Sequence, residues 1–257
     1  MEFIQHAGQD LALGCLDRTA AVGSLRACLE EAIVVMPQAS WEPCDFSDLA
    51  PTPGLQGNHG ACVAFQCVDA VETARKIAGL GDVGLSPWHL YAQICGGRDQ
   101  GANIGDALTA LEKTGVCRLA DCPAYTLDED CATYWQTIAK RYKVEEAFDC
   151  PNRASIATAI QCRFPTPLGL SVYGNFTELE TIGGKPCIPR PAGRLRGGHC
   201  VLGCGLDYIG GVWRVKVATK SWGLGFGDQG CAWYTLDWLS DTYADAWAVR
   251  SVTYTEQ

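Results

Sequence analysis

The chain has 257 residues, a formal net charge of −9 and 47% apolar residues. This is the composition of a folded globular protein with one large domain or two lobes. The negative charge, without a dense cluster of Lys and Arg, argues against binding along a nucleic-acid backbone. No apolar run approaches the ~18 residues of a membrane-spanning helix. The N-terminus lacks the basic region followed by an apolar region that marks a secretory signal. The default expectation is a cytoplasmic protein that binds neither nucleic acid nor membrane.

Fifteen cysteines are many for this length, and an odd number leaves at least one thiol free if the others are bridged. Reduced thiols suit the cytosol and disulfides suit an exported chain, so the redox state stays open. No two cysteines are separated by two residues, and only four histidines could serve as further ligands. The spacing argues against structural zinc, and we expect no metal and no cofactor.

The first half of the chain is predicted to be mostly helical. After Cys62 the apolar residues recur with a period of 3.6, as on an amphipathic helix. The predicted helices cover residues 24–36, the run from Cys62 to a stop at Gly79, a run that begins at Pro87, and a run from the cap Asn103 to Gly115.

The second half changes to strand patterns separated by glycine-rich turns. Its predicted elements are a short helix at 154–160, strand-like chain at 167–173, and strands at 200–208, 212–220 and 231–236. Helices followed by strands indicate an α+β fold, with a break near residues 149–152.

Cys62 stands where a polar, Gly-rich loop meets its helix. The free N–H groups and the dipole of a helix N-terminus favour an anion, so a thiol there becomes a reactive thiolate. The alternative is a small apolar residue that only packs. A nucleophilic cysteine needs a base. His199, which enters a predicted strand after two glycines, is the candidate, although a lone His in this setting is commonly structural.

Three blocks of the sequence occur in the order that papain-like cysteine peptidases show. They are residues 56–65 (QGNHGACVAF), 198–201 (GHCV) and 221–230 (SWGLGFGDQG). The separation of Cys and His is also that of the family. Residues 45–250 therefore resemble this family, with a pattern most similar to bacterial and viral members. The resemblance implies an N-terminal extension at 1–44, a helical lobe at 45–150, a barrel-like antiparallel β lobe at 151–257, and a cleft between the lobes.

The resemblance also implies a role for each matching residue. Cys62 would be the nucleophile that forms a thioester acyl-enzyme, and His199 would transfer the protons. The side chain of Gln56 and the backbone N–H of Cys62 would form the oxyanion hole. Trp222 would shield the histidine from water.

The third catalytic position departs from the family, which has Asn immediately before Ser221, where this chain has Lys220. An ammonium cannot accept a hydrogen bond from the imidazole, and its charge would weaken a thiolate–imidazolium pair. Strand alternation offers a second arrangement, in which Lys220 faces solvent and Thr219 approaches the site. A bulge would restore the first arrangement. Ser221 and Thr219 are thus candidate supporting residues.

A protein or peptide substrate is implied, bound along the cleft. The residues implied in its binding are Gly101, Ala102, Asn103, Ile104 and Gly198. Asn103 and Ile104 would form the wall of a medium-sized, partly polar pocket. The sequence does not indicate an oligomeric state.

The family has two disulfide bridges whose positions can be compared with this chain. His59 replaces one half-cystine and the partner position falls at Asp99, so either a His59–Asp99 pair replaces the bridge or both side chains are solvated. Cys95 and Cys131 occupy the places of a second bridge. Residues 1–44 are too few for the helical inhibitory prosegment of the family. We expect them to pack on the lobes rather than to block the cleft.

The function that we expect is a cysteine peptidase with a Cys62–His199 dyad that position 220 weakens. Lys220 motivates the alternative of a catalytically silent papain-fold binding protein. A third alternative keeps the thiol but uses another acceptor, as an acyl-transferase or amidase does.

Overall fold

A computed structural model describes residues 1–17, 27–51, 54–128, 142–239 and 243–253 of the chain. Its helices are α1 Leu29–Ala32, α2 Cys62–Ile77, α3 Pro87–Ile94, α4 Ile104–Lys113 and α5 Arg153–Gln161. Its strands are β1 Glu2–His6, β2 Gln9–Leu13, β3 Cys44–Asp45, β4 Val144–Asp149, β5 Thr166–Tyr173, β6 Glu180–Ile182, β7 Lys185–Cys187, β8 Leu195–Ile209, β9 Val212–Ala218, β10 Cys231–Thr235 and β11 Tyr243–Val252.

Side chains cap two helices where the sequence predicts their starts. Ser86 Oγ accepts a hydrogen bond from the backbone N–H of His89 at 3.1 Å, and Asn103 Oδ1 accepts one from Asp106 at 2.8 Å. Each cap satisfies a backbone donor that has no partner inside its helix. The starts of α3 and α4 are therefore fixed locally.

The prediction of a helix over residues 24–36 is wrong for most of its described part, residues 27–36. Only Leu29–Ala32 is helical there, and Ile33 is already extended, with φ −143° and ψ 157°. Residues 33–35 are Ile-Val-Val, and β-branched side chains lose rotamer freedom in a helix. Residues 24–26 lie outside the described part.

A nine-stranded, mostly antiparallel sheet faces the helices. Its strand order is β4-β11-β5-β8-β9-β10-β7-β6, with β3 paired to β8, and the contact of β7 with β10 is parallel. The outer strands β4 and β6 do not pair with each other within the described residues, so the predicted barrel-like lobe is an open sheet. The predicted α+β class is confirmed.

Helix α2 lies between the sheet and helices α3 and α4. Most of its side chains are buried for this reason, including Cys62 at its start. Strand β8, which carries His199, is the strand of the sheet that contacts α2 most. The packing of α2 on β8 thus places Cys62 and His199 on facing elements, without a hydrogen bond from the thiol to either nitrogen of the imidazole. No helix in the described ranges combines the length and apolarity needed to cross a membrane.

Each described cysteine is a free thiol. Cys95, predicted as one half of a bridge, is buried and unbridged, and its predicted partner Cys131 lies outside the described residues. No cluster of His, Cys, Asp and Glu that could hold a metal ion occurs within the described ranges.

Candidate active site

The loop before α2 holds the side chain of Gln56 in a fixed position. This side chain is buried, and its Nε2 donates hydrogen bonds to the carbonyl of His59 at 2.9 Å and to that of Ala12 at 3.2 Å. The backbone N–H of Gln56 donates to the carbonyl of Ser221 at 3.0 Å. The loop is thereby attached to the Trp- and Gly-rich turn, and the amide of Gln56 already contacts a peptide carbonyl.

His199 lies on β8 against Trp222. The two rings are stacked, with centroids 4.0 Å apart and planes inclined by 21°. The histidine is completely buried, and neither ring nitrogen has a hydrogen-bond partner within the described residues. Burial lowers the pKa of His199 to about 3, because an imidazolium would lose its hydration without gaining a partner. His199 is therefore neutral at physiological pH.

Cys62 begins α2, as predicted, but its thiol is not activated in this state. Burial, followed by the neighbouring Cys15, raises the pKa of Cys62 to about 12, against the opposing effect of nearby backbone N–H groups of Cys200 and Gly14. The expected lowering of the thiol pKa is thus wrong here, because loss of hydration outweighs the helix N-terminus. Thiol and imidazole are both neutral.

Residues 12–16, which we call the strap, cross the site beside Cys62. The N–H of Ala102 donates to the carbonyl of Gly14, and the N–H of Leu16 donates to the carbonyl of Ala102, both at 2.9 Å. On the other side, the N–H of Cys15 donates to the carbonyl of Gly198 at 2.9 Å. Ala102 and Gly198 are residues expected to bind substrate. The strap therefore occupies the place expected for a substrate chain.

Glycines allow the strap to approach its neighbours backbone to backbone. A Cβ on Gly14 would lie 2.2 Å from the carbonyl oxygen of Gly60, and one on Gly198 would lie 2.0 Å from that of Cys15. Both obstacles are backbone atoms, which cannot rotate away as a flexible side chain can. The closed strap thus requires glycine at both positions.

Thr219 and Ser221, the described side chains around the third catalytic position, make no hydrogen bond to the imidazole. The backbone of Lys220 begins a 3-10 turn, Lys220–Trp222, and its side chain lies outside the described part. Thr219 is buried and its N–H donates to the carbonyl of Gly230 at 2.8 Å. Ser221 Oγ accepts a hydrogen bond from Nε2 of Gln66 at 3.3 Å. No described side chain thus orients His199 by a hydrogen bond.

The residues predicted to form the pocket wall lie at the start of α4. Asn103 is its cap, and Ile104 is fully buried in the core. Gly101 has a φ of +95° and lies against Gly14. Ala102 and Gly101 therefore face the strap, whereas Asn103 and Ile104 have structural contacts.

Two hollows lie near α2. One of about 290 Å³ is bordered by Leu11, Gly57 and Trp222, beside the strap. A larger one, of about 730 Å³, is bordered by Phe65, Trp88 and other residues. The larger hollow contains none of the predicted site residues, so we place the candidate site at the strap.

The comparison with solved structures identifies the fold. Xylellain, a cysteine protease from Xylella fastidiosa, aligns over 95% of this chain and 97% of its own, with a TM-score of 0.74 and 21% identity. ProCathepsin B S9 from Trypanosoma congolense aligns over 93% and 86%, with a TM-score of 0.72 and 15% identity. The bromelain protease from Ananas comosus aligns over 86% and 100%, with a TM-score of 0.63 and 20% identity. The chain has the fold of the papain-like cysteine proteases.

The papain-like fold is established by structure rather than by sequence. No protein-family model matches the chain, and no curated protein matches its sequence significantly. The structural neighbours come from a bacterium, a trypanosome and a plant, so a particular likeness to bacterial and viral members is not supported.

Within the candidate site, the sequence indicated some contacts and missed others. The hypothesised His59–Asp99 pair is present, with Nδ1 and Oδ2 2.8 Å apart. The strap was missed as an occupant of the cleft, and Tyr91 and Tyr125 were missed as neighbours of that pair. No motif marks the strap or Tyr125, because their contacts join segments distant in the chain, and no local pattern links Tyr91 to Asp99 eight residues later. The glycines at 14, 60, 101 and 198 were the local signs of close backbone packing.

Proposed function

We propose that this protein is a cysteine peptidase whose active site is closed by its own strap. The observation that carries the proposal is the hydrogen bond from Nε2 of Gln56 to the carbonyl of Ala12, two residues before Gly14, whose backbone lies beside the Cys62 thiol. A donor that already binds a peptide carbonyl is what an oxyanion hole requires. The fold, with Cys62 at a helix start and His199 on the facing sheet, supports the same function.

The reaction would begin when a substrate replaces the strap. Cys62 transfers its proton to His199, and the resulting thiolate attacks the carbonyl carbon of the scissile peptide. The oxyanion accepts hydrogen bonds from Nε2 of Gln56 and from the backbone N–H of Cys62. Such a donor contributes about 3–4 kcal/mol to stabilisation of the transition state.

The second half of the reaction would regenerate the enzyme. His199 gives its proton to the leaving amine as the C–N bond breaks, which leaves a thioester on Cys62. His199 then removes a proton from water, whose oxygen attacks the thioester. The C–S bond breaks, the carboxylic acid leaves, and His199 returns the proton to the sulfur of Cys62. Trp222, stacked on His199, would keep the imidazole in place and limit its hydration.

The strap lies against a site in which both reactive groups are neutral. Its Gly14 and Cys15 lie beside the Cys62 thiol, and the N–H of Cys15 donates to the carbonyl of Gly198, next to His199. Burial raises the pKa of the thiol and lowers that of the imidazole. Displacement of the strap would admit water and substrate, and the proton could then pass from sulfur to nitrogen. We infer that the structure is a resting state and that residues 12–16 regulate access to the cleft.

The proposal is tested by alkylation and by peptide cleavage. Iodoacetamide is applied to the full chain and to Gly14→Ala, which displaces the strap, and the adducts are mapped. We expect Cys62 of Gly14→Ala to react faster than the other thiols and to lose this advantage in the double variant with His199→Ala. The Gly14→Ala protein should also cleave members of a peptide library. Folded Gly14→Ala protein that neither cleaves peptides nor shows a fast Cys62 would refute the peptidase.

The same library separates the two alternatives. The silent binding protein is motivated by the lack of a described acceptor for His199, and it would bind peptides without cleaving them. An acyl-transferase or amidase would form more product with an added amine such as hydroxylamine than with water.

A further inference from the structure

We propose that Asp99 is a positioning residue that fixes the oxyanion-hole amide of Gln56 through His59 and Gly60. This inference rests on the proposed peptidase function and deepens it. Asp99 is remote from Cys62 in the sequence, and no catalytic motif includes it.

The carboxylate of Asp99 accepts hydrogen bonds from His59, Gly60 and Tyr91, and the side chain of Tyr125 adds a further one. Its Oδ2 accepts from Nδ1 of His59 at 2.8 Å, and its Oδ1 accepts from the backbone N–H of Gly60 at 2.8 Å and from the hydroxyl of Tyr91 at 2.7 Å. Charged acceptors make the stronger hydrogen bonds in proteins. The carboxylate therefore holds both residues that precede Ala61 and Cys62.

This hold reaches the catalytic amide through one further contact. The carbonyl of His59 accepts the hydrogen bond from Nε2 of Gln56 at 2.9 Å. The direction of the Gln56 side chain thus depends on where the peptide between His59 and Gly60 lies. Asp99 fixes that peptide, because it accepts from the side chain of His59 and from the N–H of Gly60. A rotation of the peptide would turn the amide away from the oxyanion.

The imidazole of His59 is restrained by its neighbours as well. It stacks on Tyr125, with ring centroids 3.6 Å apart and planes inclined by 14°, and the edge of Trp88 meets it at 5.8 Å. Because the ring is confined, Nδ1 points to Asp99. Stacking and hydrogen bonding together leave His59 one orientation.

The network also joins the opposite wall of the cleft. The hydroxyl of Tyr91 donates to Asp99 and accepts the N–H of Gly101 at 3.3 Å. Gly101 precedes Ala102, which holds the strap. One carboxylate thus connects the oxyanion side of the site with the wall expected to bind substrate.

Electrostatics favour the ionised form of Asp99. Burial disfavours its charge, but the hydrogen bonds from Tyr91, His59 and Gly60 outweigh burial and lower the pKa of Asp99. The carboxylate therefore carries its charge at neutral pH and accepts on both oxygens. An amide in its place would accept on one side only and would present N–H groups to a donor on the other.

The test is a double-mutant cycle for peptide hydrolysis on the full chain, in the Gly14→Ala background if the wild type is too slow. Asp99→Asn should lower kcat about 10- to 100-fold and change KM less than about 3-fold, since the lost interaction acts on the oxyanion. In protein that also carries Gln56→Ala, Asp99→Asn should cost less than about 3-fold, because its target is already absent. Asp121→Asn, which removes a pair with Arg118, should leave kcat unchanged.

A second measurement separates positioning from a general loss of structure. Alkylation of Cys62 by iodoacetamide needs no oxyanion hole, so Asp99→Asn should change its rate less than about 3-fold. An equal loss of alkylation and hydrolysis, or full additivity with Gln56→Ala, would overturn the inference and leave the peptidase standing. If neither the wild type nor Gly14→Ala cleaves any peptide, the proposed function and this inference fail together.

Discussion

The carbonyl oxygen of Ala12 lies 3.2 Å from Nε2 of Gln56 and accepts its hydrogen bond. Three further backbone hydrogen bonds hold the strap across the site. At about 1 kcal/mol net for each bond, its displacement costs on the order of 4 kcal/mol. This corresponds to about one open molecule in a thousand, so the strap can keep the site closed without a covalent bond.

Gly14→Ala should open the site. The added Cβ would lie 2.2 Å from the carbonyl oxygen of Gly60, and neither backbone can yield without loss of the strap hydrogen bonds. We expect the alkylation rate of Cys62 to rise at least about 10-fold, with a ceiling near 10³-fold set by the closed population. The rate is measured by quenched iodoacetamide labelling and mass spectrometry.

The matched control for that variant is Gly225→Ala, because a Cβ at Gly225 would meet open space. It should label at the wild-type rate. An unchanged rate in folded Gly14→Ala protein would mean that the strap does not limit access to Cys62.

The buried imidazole should make the closed protein less stable in acid. The pKa of His199 is lowered to about 3 from an ordinary 6.5, so between these values the unfolded chain binds a proton that the folded protein does not. Stability must therefore fall as the pH is lowered through this window. His199→Gln should lose this part of the slope of Tm against pH.

The measurement is thermal unfolding at constant ionic strength between about pH 7 and pH 4. His6→Gln, which alters a histidine outside the site, should keep the wild-type slope. Identical slopes for His199→Gln and the wild type would show that the imidazole is not held neutral.

Lys220→Asn should raise activity, since neither nitrogen of His199 has a described partner and an asparagine at this position would supply an acceptor. In the Gly14→Ala background we expect kcat to increase about 10-fold, because a hydrogen bond from His199 to the asparagine would orient the imidazole as general base. Lys220→Ala removes the ammonium without adding an acceptor and should give a smaller gain. No change in either variant would indicate that position 220 does not act on His199.

The sequence predicted the fold class and the elements that carry the candidate site, because its signals are local. The 3.6-residue period after Cys62 determines α2, and the caps Ser86 and Asn103 act within one turn of their helices. The blocks around Cys62, His199 and Trp222 indicated the fold, and the packing of α2 on β8 accounts for the position of Cys62 and His199 on facing elements. The α+β class followed from the order of helical and strand patterns along the chain.

Other expectations failed or stayed undecided because they depend on long-range packing. The thiol of Cys62 has a raised rather than a lowered pKa, because a segment about fifty residues earlier covers it. The sheet remains open because closure depends on strand twist and register across the whole sheet. The orientation of the Lys220 side chain is still a prediction.

By itself, the sequence indicated which residues the proposed chemistry would use: a cysteine at a helix start, an amide in the loop before it and a histidine entering a strand. Only the tertiary structure decided that Ala12 and Gly14 lie against them and that Asp99 holds the loop in place. The physical reason is that helix periodicity and helix caps depend on residues that are close together in the sequence. Backbone hydrogen bonds between distant segments use the peptide groups that every residue has, and they leave no mark on the sequence except a glycine where the chains approach closely.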